Sequence, residues 1–321
     1  MILSLGGGGI RLAAHTVVLR FLEDLGADRF ISEVWGSSGG AIIGVLASLG
    51  CKSPEIQEML KALHEGQKRI QISPSLFTVA KSIVRQAFLS SDSQTNIRGF
   101  HHIHDAIQEL IGEFVKERTA IYPFYCLAYN LITNQTDVLT PLKVDRDLYG
   151  DWIYQVDPLD AVVASSSVPI LFVPKVIDDS FGRRVYADGA TSEEVPSVSL
   201  YKKWLRDREL GLEKRKRLLV IAVNLNPEFG SLGFLDNWLL KALPVFQYVQ
   251  MTVNYADLMR KARIEDQKRL LISDPNVEYW DISISMRGGG LLNVEMIPKI
   301  IAYAEKSVPE QFQRINDSLL V

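Results

Sequence analysis

Ile2-Leu3-Ser4-Leu5-Gly6-Gly7-Gly8-Gly9 opens the chain, and Trp35-Gly36-Ser37-Ser38-Gly39-Gly40-Ala41 closes its second strand candidate. The two stretches have the same grammar: an apolar run of strand length, a glycine break, then apolar residues at helical spacing. Behind the first break these are Leu12, Val17, Val18, Leu19, Phe21 and Leu22, with Gly26 as the C-cap. Behind the second, after a strand over 30–35, comes an apolar helix from Ala41 to Leu49. Strand, glycine turn and helix repeated twice open a parallel βαβ sheet. Ser53 as N-cap and Pro54 at the first helical position predict the next helix.

Outward from this start, Phe124–Asn130 and Asp137–Thr140 read as a hairpin around Asn134. Arg184–Ala187, Leu218–Asn224 and Val277–Ile284 read as further strands. Helices are expected over 98–117, 158–167, 195–206, 234–271 (interrupted at Pro244) and 294–314. Neither an internal repeat nor a linker rich in Pro, Gly or Ser divides the chain. The expectation is one three-layer α/β domain over 1–321, a mainly parallel central sheet flanked by helices. The motif-bearing core covers about 2–200, and 201–321 completes the fold or forms a lid.

Composition narrows the function. The 321 residues are 47% apolar and 23% charged, an ordinary globular balance that needs no metal or disulfide staple. A net charge of −3 gives no reason to expect nucleic acid, and Lys214-Arg215-Lys216-Arg217 reads as a solvated connection. Cys51 and Cys126 stand alone, with no metal-ligand spacing, and read as buried reduced thiols. The longest uncharged apolar stretch, Ala41 to Cys51, is too short to span a bilayer. Without a basic leader or cleavage site at its start, the chain is expected in the cytoplasm, peripheral to membranes, with delivery into another cell or compartment as the alternative.

Gly36-Ser37-Ser38-Gly39-Gly40 is a G-x-S-x-G, with Ser38 as candidate nucleophile. A serine on a sharp strand-to-helix turn projects its hydroxyl at the top of the sheet, and the flanking glycines let neighbouring chain approach. Acyl transfer also needs fixed N–H donors for the developing oxyanion. Gly7, Gly8 and Gly9, between a strand and a helix, are candidates, as is Gly39 after the nucleophile. The glycine run fails as a dinucleotide fingerprint, because Arg11 or Leu12 falls where the third glycine belongs, and it lacks a P-loop's Gly-Lys-Ser/Thr ending. Gly288-Gly289-Gly290 has no nucleophile nearby and reads as a loop.

The histidines discriminate further. His15, His64, His101, His102 and His104 all lie in the first third, whereas an α/β-hydrolase needs its histidine several strands after the serine. The base for Ser38 is therefore sought among carboxylates. Asp188 follows the short strand Arg184–Ala187 and precedes Gly189, at a strand end where open α/β sheets place their sites. Asp178-Asp179, beside Ser180 and Gly182, reads as an exposed turn.

Taken together, the glycine-rich turn with Arg11, the G-x-S-x-G elbow, Asp188-Gly189-Ala190 and the block Ala164-Ser165-Ser166-Ser167-Val168-Pro169-Ile170-Leu171-Phe172 resemble the patatin-like phospholipase family. All blocks stand in that family's order, across residues 2 to about 200. The resemblance implies a Ser–Asp dyad of Ser38 and Asp188, an oxyanion loop of Gly7, Gly8 and Gly9, and Arg11 as its brace. Gly36, Gly40 and Gly189 support the turns. His15 matches an Ala-His of bacterial members and reads as a helix-packing residue. Leu12 departs from the glycine that usually closes the oxyanion loop, and Val17 stands where many members have another glycine; a latent or ligand-activated enzyme would fit the first departure.

The expected activity is hydrolysis of glycerolipid esters, of phospholipase A or lysophospholipase type, with phospholipid or lysophospholipid as partner and no metal or organic cofactor. A thioesterase or acyltransferase with the same acyl-serine, and a non-catalytic lipid-binding scaffold, are the alternatives. Two apolar segments are candidates for lying in a membrane interface or capping the acyl site. One runs from Leu76 through Phe77 to Phe88 with Lys81 and Arg85 beside it; the other is Phe229–Met251, with Trp238.

Overall fold

The computed structural model describes residues 1–65, 103–169, 172–179, 182–225, 244–286 and 293–319, with backbone alone for 244–257 and 316–319. The apolar segment around Phe77, most of the one around Trp238, and Gly288-Gly289-Gly290 lie outside the described residues.

Nine strands among the described residues share one sheet, in the order β5-β4-β3-β2-β1-β8-β9, with β7 on β3 and β6 on β7. They are β1 Ile2–Leu5, β2 Glu33–Ser37, β3 Phe124–Asn130, β4 Gln135–Thr140, β5 Ile153–Gln155, β6 Lys175–Asp179, β7 Gly182–Asp188, β8 Leu218–Asn224 and β9 Val277–Ser283. The central pairs β3-β2-β1-β8-β9 are all parallel, and the antiparallel pairings lie at β3-β4, β3-β7 and β6-β7. The helices are α1 Ala13–Asp24, α2 Gly39–Ser48, α3 Ser53–His64, α4 Ile103–Glu117, α5 Arg146–Tyr149, α6 Pro158–Ser165, α7 Val198–Glu209, α8 Pro244–Ile272 and α9 Ile297–Leu319.

Successive strand residues point to opposite faces, so alternate positions feed two separate cores. Leu3, Leu5, Val34, Phe124, Cys126, Ile221 and Val223 pack with α1, α2, α3, α4, α6 and α9. Ile2, Trp35, Tyr125, Leu127, Val220 and Ala222 turn the other way, against Leu200 and Trp204 of α7. Burial on both faces explains why these strands read as continuous apolar runs. Helices on both sides of a mainly parallel sheet make the three-layer α/β architecture. Cys51 and Cys126 are buried and free.

Several local readings change. Ser53 is the first residue of α3 rather than its cap. Glu23 of α1 takes the capping role instead, accepting the Ser53 N–H at 3.1 Å and the Ser53 hydroxyl at 2.8 Å. Asp178-Asp179 is no turn but the end of strand β6, paired with Gly182 and Arg183 of β7. Asp179 also meets the Arg184 guanidinium across that hairpin. The second strand begins at Glu33, because Asp28–Phe30 forms a 3-10 turn first.

Candidate active site

β3 organises the site. β2 lies along one edge of β3 from Val34 onward, with Ser37 opposite Leu127. β7 comes down the same edge from the other direction and ends with Asp188 opposite Ala128. Two strands thus meet head-on at adjacent positions of a third, and at the junction stand Ser38, the residue after β2, and Asp188, the last residue of β7. The Ser38 hydroxyl donates to Oδ2 of Asp188 at 2.6 Å, with both residues buried. Gly189 completes the junction, since a Cβ there would fall 2.1 Å from the Leu127 carbonyl oxygen.

Ser38 has φ 52° and ψ −124°, a left-handed backbone that a serine adopts only under constraint. The constraint is visible on both sides of its peptide. Its N–H donates to Ser165 Oγ at 3.0 Å, and its carbonyl accepts from Ser166 Oγ at 3.2 Å and from the Ala41 N–H at 2.9 Å. The chain must also pass very close to β1. A Cβ on Gly40 would lie 2.1 Å from the Leu5 carbonyl oxygen, and one on Gly36 2.5 Å from Ala41 Cα. Glycine at these positions is therefore a steric requirement of the elbow.

Asp188 is fixed as firmly. Its Oδ1 accepts the Ala190 N–H at 2.8 Å, and its own N–H donates to the Ser167 carbonyl at 2.9 Å. Burial, above all, pushes its carboxyl up from 3.8 to about 7. The Ser38 and Ala190 hydrogen bonds work against that rise, and the Glu194 charge adds to it. A carboxylate with that proton affinity is a competent base near neutral pH.

The glycine run divides into two parts. The Gly6 N–H donates to Val223 and the Gly7 N–H to Glu194, each at 2.9 Å, so these amides anchor the loop. Among the described residues no acceptor takes up the amides of Gly8, Gly9 or Gly39. Gly9 and Gly39 line the same cavity as Ser38. Arg11 is buried, and its backbone N–H closes the turn on the Gly8 carbonyl at 3.2 Å. His15, in α1 and fully buried, donates Nε2–H to the Gly6 carbonyl at 2.9 Å. Burial pushes its pKa down to about 4, so it stays neutral and acts as a hydrogen-bonding strut. The structure brings no histidine to Ser38 among the described residues: His64 bonds the Val294 carbonyl and His104 is exposed beside Asp105.

The cavity in front of Ser38 measures about 90 Å³. Apart from Ser38 and Ser166 its walls are apolar or glycine, with Leu12, Ile42, Leu60, Ile107, Leu110 and Phe172 prominent. Leu12, the residue that departs from the glycine-loop pattern, is a wall of this cavity. No group of His, Cys, Asp and Glu among the described residues is arranged to hold a metal ion.

The sequence profile of the patatin-like phospholipases matches residues 3–201, which include every block of the site just described. The chain belongs to the patatin-like phospholipase family. Uncharacterised NTE family proteins of Mycobacterium bovis and Mycobacterium tuberculosis are 28% identical over 199 residues, 62% of this chain. The match spans 44% of those relatives' length. Among solved structures, VipD from Legionella pneumophila aligns with 98% of this chain and 66% of its own at 12% identity, with a TM-score of 0.42. The type III effector protein ExoU aligns with 98% of this chain and 53% of its own at 14% identity, with a TM-score of 0.34.

Four residues contribute to this geometry in ways that the sequence does not assign. Ser165 and Ser166 belong to a serine run whose pattern does not tell which hydroxyl meets the elbow. Glu194 and Arg260, a buried ion pair behind the dyad, are too far apart in the chain to be associated by spacing.

Proposed function

We propose that the chain is a serine lipid acyl hydrolase of phospholipase A or lysophospholipase type, acting through Ser38 and Asp188 as one unit over 1–321. The observation that carries this reading is the 2.6 Å contact from Ser38 Oγ to a buried carboxylate, at the mouth of an apolar cavity. A fatty acyl chain is the group such walls accept, because each buried methylene contributes about 0.8 kcal/mol.

In the first half-reaction Asp188 takes the Ser38 proton as Oγ attacks the ester carbonyl. The negative charge then forming on the carbonyl oxygen faces the amides of Gly8, Gly9 and Gly39, each such donor typically stabilising it by about 3–4 kcal/mol. Collapse breaks the ester bond, and Asp188 returns the proton to the departing alcohol, leaving an acyl-serine. In the second half-reaction Asp188 takes a proton from water as it attacks the acyl carbonyl, the carbonyl–Oγ bond breaks, and Asp188 returns the proton to Ser38 Oγ as the fatty acid leaves. Gly7 serves by holding the loop on Glu194 rather than by donating to the oxyanion. His15 and Arg11 hold the same loop at Gly6 and Gly8.

No helix among the described residues is long and apolar enough to cross a membrane. In this reading the substrate is met at a bilayer surface, with the protein peripheral to it. The test is fatty-acid release from mixed phospholipid vesicles, read by mass spectrometry, for wild type and Ser38→Ala. Release that vanishes in the variant is expected, and the surviving lyso-lipids identify head group and position. Equal release by both proteins would refute the assignment of Ser38.

A further inference from the structure

Leu12 stands where two parts of the site meet. It ends the 3-10 turn Gly9–Leu12 that carries the chain from the glycine run into α1. In a 3-10 turn residues i and i+3 eclipse one another, so Gly9 and Leu12 share a face. Both line the cavity in front of Ser38. The turn is closed by the Arg11 N–H on the Gly8 carbonyl at 3.2 Å and held from behind by His15 Nε2–H on the Gly6 carbonyl at 2.9 Å. Leu12 is only 6% exposed and belongs to the main core, so its side chain is packed in place.

Gly39 fixes its position along the cavity. A Cβ built on Gly39 would fall 3.1 Å from Leu12 Cβ and 3.5 Å from Leu12 Cδ2, nearer than to any other side chain. Leu12 therefore lies directly against the residue whose amide faces the oxyanion. Other apolar walls come from further along the helices: Ile42 one turn into α2, Leu60 towards the end of α3, and Ile107 and Leu110 in α4. A carbonyl oxygen held by the Gly39 N–H, at about 2.7–3.1 Å, is two bonds from C2 of the acyl group. The first carbons of a chain that enters the cavity from there pass Leu12 before they reach α3 and α4.

We propose that Leu12 is a specificity-determining residue: it walls the cavity at the first acyl carbons, so that the site takes straight-chain acyl esters and turns away those branched at C2. The inference rests on the Ser38–Asp188 reading and adds to it the class of acyl group. A methyl on C2 competes for the space that the Leu12 side chain fills, and a close-packed wall yields that space only at a cost. Truncating Leu12 opens the cavity beside Gly39. The anchors of the glycine loop are backbone amides and His15, none of which needs the Leu12 side chain.

The experiment compares kcat/KM for p-nitrophenyl hexanoate and p-nitrophenyl 2-methylhexanoate on the full chain. The two esters share a leaving group and differ by one methyl, so their ratio within one preparation does not depend on how much of the protein is folded. Their intrinsic reactivities cancel between variants. Wild type is expected to favour the straight chain by about tenfold or more, the discrimination an apolar pocket achieves for one such group. In Leu12→Ala that preference shrinks about tenfold, and in Leu12→Val about threefold. Leu110→Ala, which enlarges the same cavity from α4, leaves the ratio within about twofold of wild type. If Leu12→Ala fails to fold, Leu12→Val decides the question. Leu12 variants that change both rates by the same factor would make Leu12 a brace of the oxyanion loop and overturn the inference. So would a shift as large in Leu110→Ala. A wild type that hydrolyses neither ester, or a Ser38→Ala variant as active as wild type, refutes the Ser38 reading itself and is distinguishable from an unmoved ratio.

Discussion

Asp188→Asn separates chemistry from folding, because the site is built at a cost that the substitution removes. The amide keeps the shape of the side chain, keeps an oxygen for the Ala190 N–H, and offers a donor to Ser38 Oγ in place of an acceptor. It deletes a carboxyl that burial has raised from 3.8 to about 7. The sign follows from linkage. Below the unfolded value both states hold the proton and the native state has its full stability. Between the two values the unfolded chain has released the proton and the native state has not, so stability falls as pH rises and levels off above the folded value. At about 1.4 kcal/mol per pH unit, the wild-type carboxyl costs about 4 kcal/mol at pH 8 and under about 2 kcal/mol at pH 5. Urea unfolding of both proteins at the two pH values measures this directly. The stability gained by Asp188→Asn is expected to be larger at pH 8 than at pH 5 by about 2–3 kcal/mol, while fluorophosphonate labelling of Ser38 falls by about a hundredfold or more. A gain of the same size at both pH values, or a variant less stable than wild type at both, would refute the account of a base made by burial.

Other expectations come from the same geometry. Wild-type labelling and hydrolysis should rise with pH through about 7, because only the carboxylate form of Asp188 accepts the serine proton; a profile flat from pH 5 to 9 would contradict this. Gly40→Ala drives a Cβ against the Leu5 carbonyl oxygen at 2.1 Å and should destabilise by about 3 kcal/mol or more, whereas Gly26→Ala, with nothing within 4 Å, should lose about 1 kcal/mol through its positive φ alone. Thermal melts compare the two. Leu110→Trp, on the cavity wall, should cut release of long acyl chains about tenfold and leave hydrolysis of an acetate ester nearly unchanged. Glu193→Ala should cost about 2 kcal/mol by stripping the start of α7 of its acceptor, with the pH profile of labelling unmoved.

Much of the fold can be read from the first fifty residues because local and global preferences coincide there. Ile2–Leu5 is buried on both faces, so nothing but a central parallel strand suits it, and the glycines at 36 and 40 mark a turn that only glycine can make. The hairpin at Asn134 is legible for the same reason: an Asn tolerates the φ of 55° that the turn requires. What is less legible is pairing at a distance. β6 consists of Lys175-Val-Ile-Asp-Asp179, three of its five residues charged, and its two adjacent apolar residues make no alternation that registers as a strand. It exists because β7 supplies the partner. Ser53 shows the competing case, in which a residue with every local mark of a cap loses that role to Glu23 on another helix. The candidate site divides likewise. Ser38 and Asp188 stand in motifs, and so does Ser165, but its bond to the Ser38 N–H, like the places of Glu194 and Arg260, is known only once three-dimensional neighbours are.

In the proposed dyad a carboxylate alone serves the serine, and the arrangement gives a physical reason for it. An imidazole is near its working pKa in water, whereas an aspartate must be moved there, and the cheapest means is exclusion of solvent. That demands a base at the end of a strand inside the sheet, not on a surface loop. Here it is met by two strands that stop against adjacent residues of β3, one ascending to Ser38 and one descending to Asp188. The same closeness leaves no room for an intervening ring: the hydroxyl and carboxylate are already in contact at 2.6 Å. The strain at Ser38, the glycines beneath it and the serine hydroxyls that clamp its peptide are consequences of that short distance. A histidine inserted between them would require the two strands to part. The late chain's lack of histidine and the meeting of β2 with β7 are therefore two expressions of one design, in which backbone topology rather than a third side chain orients the base.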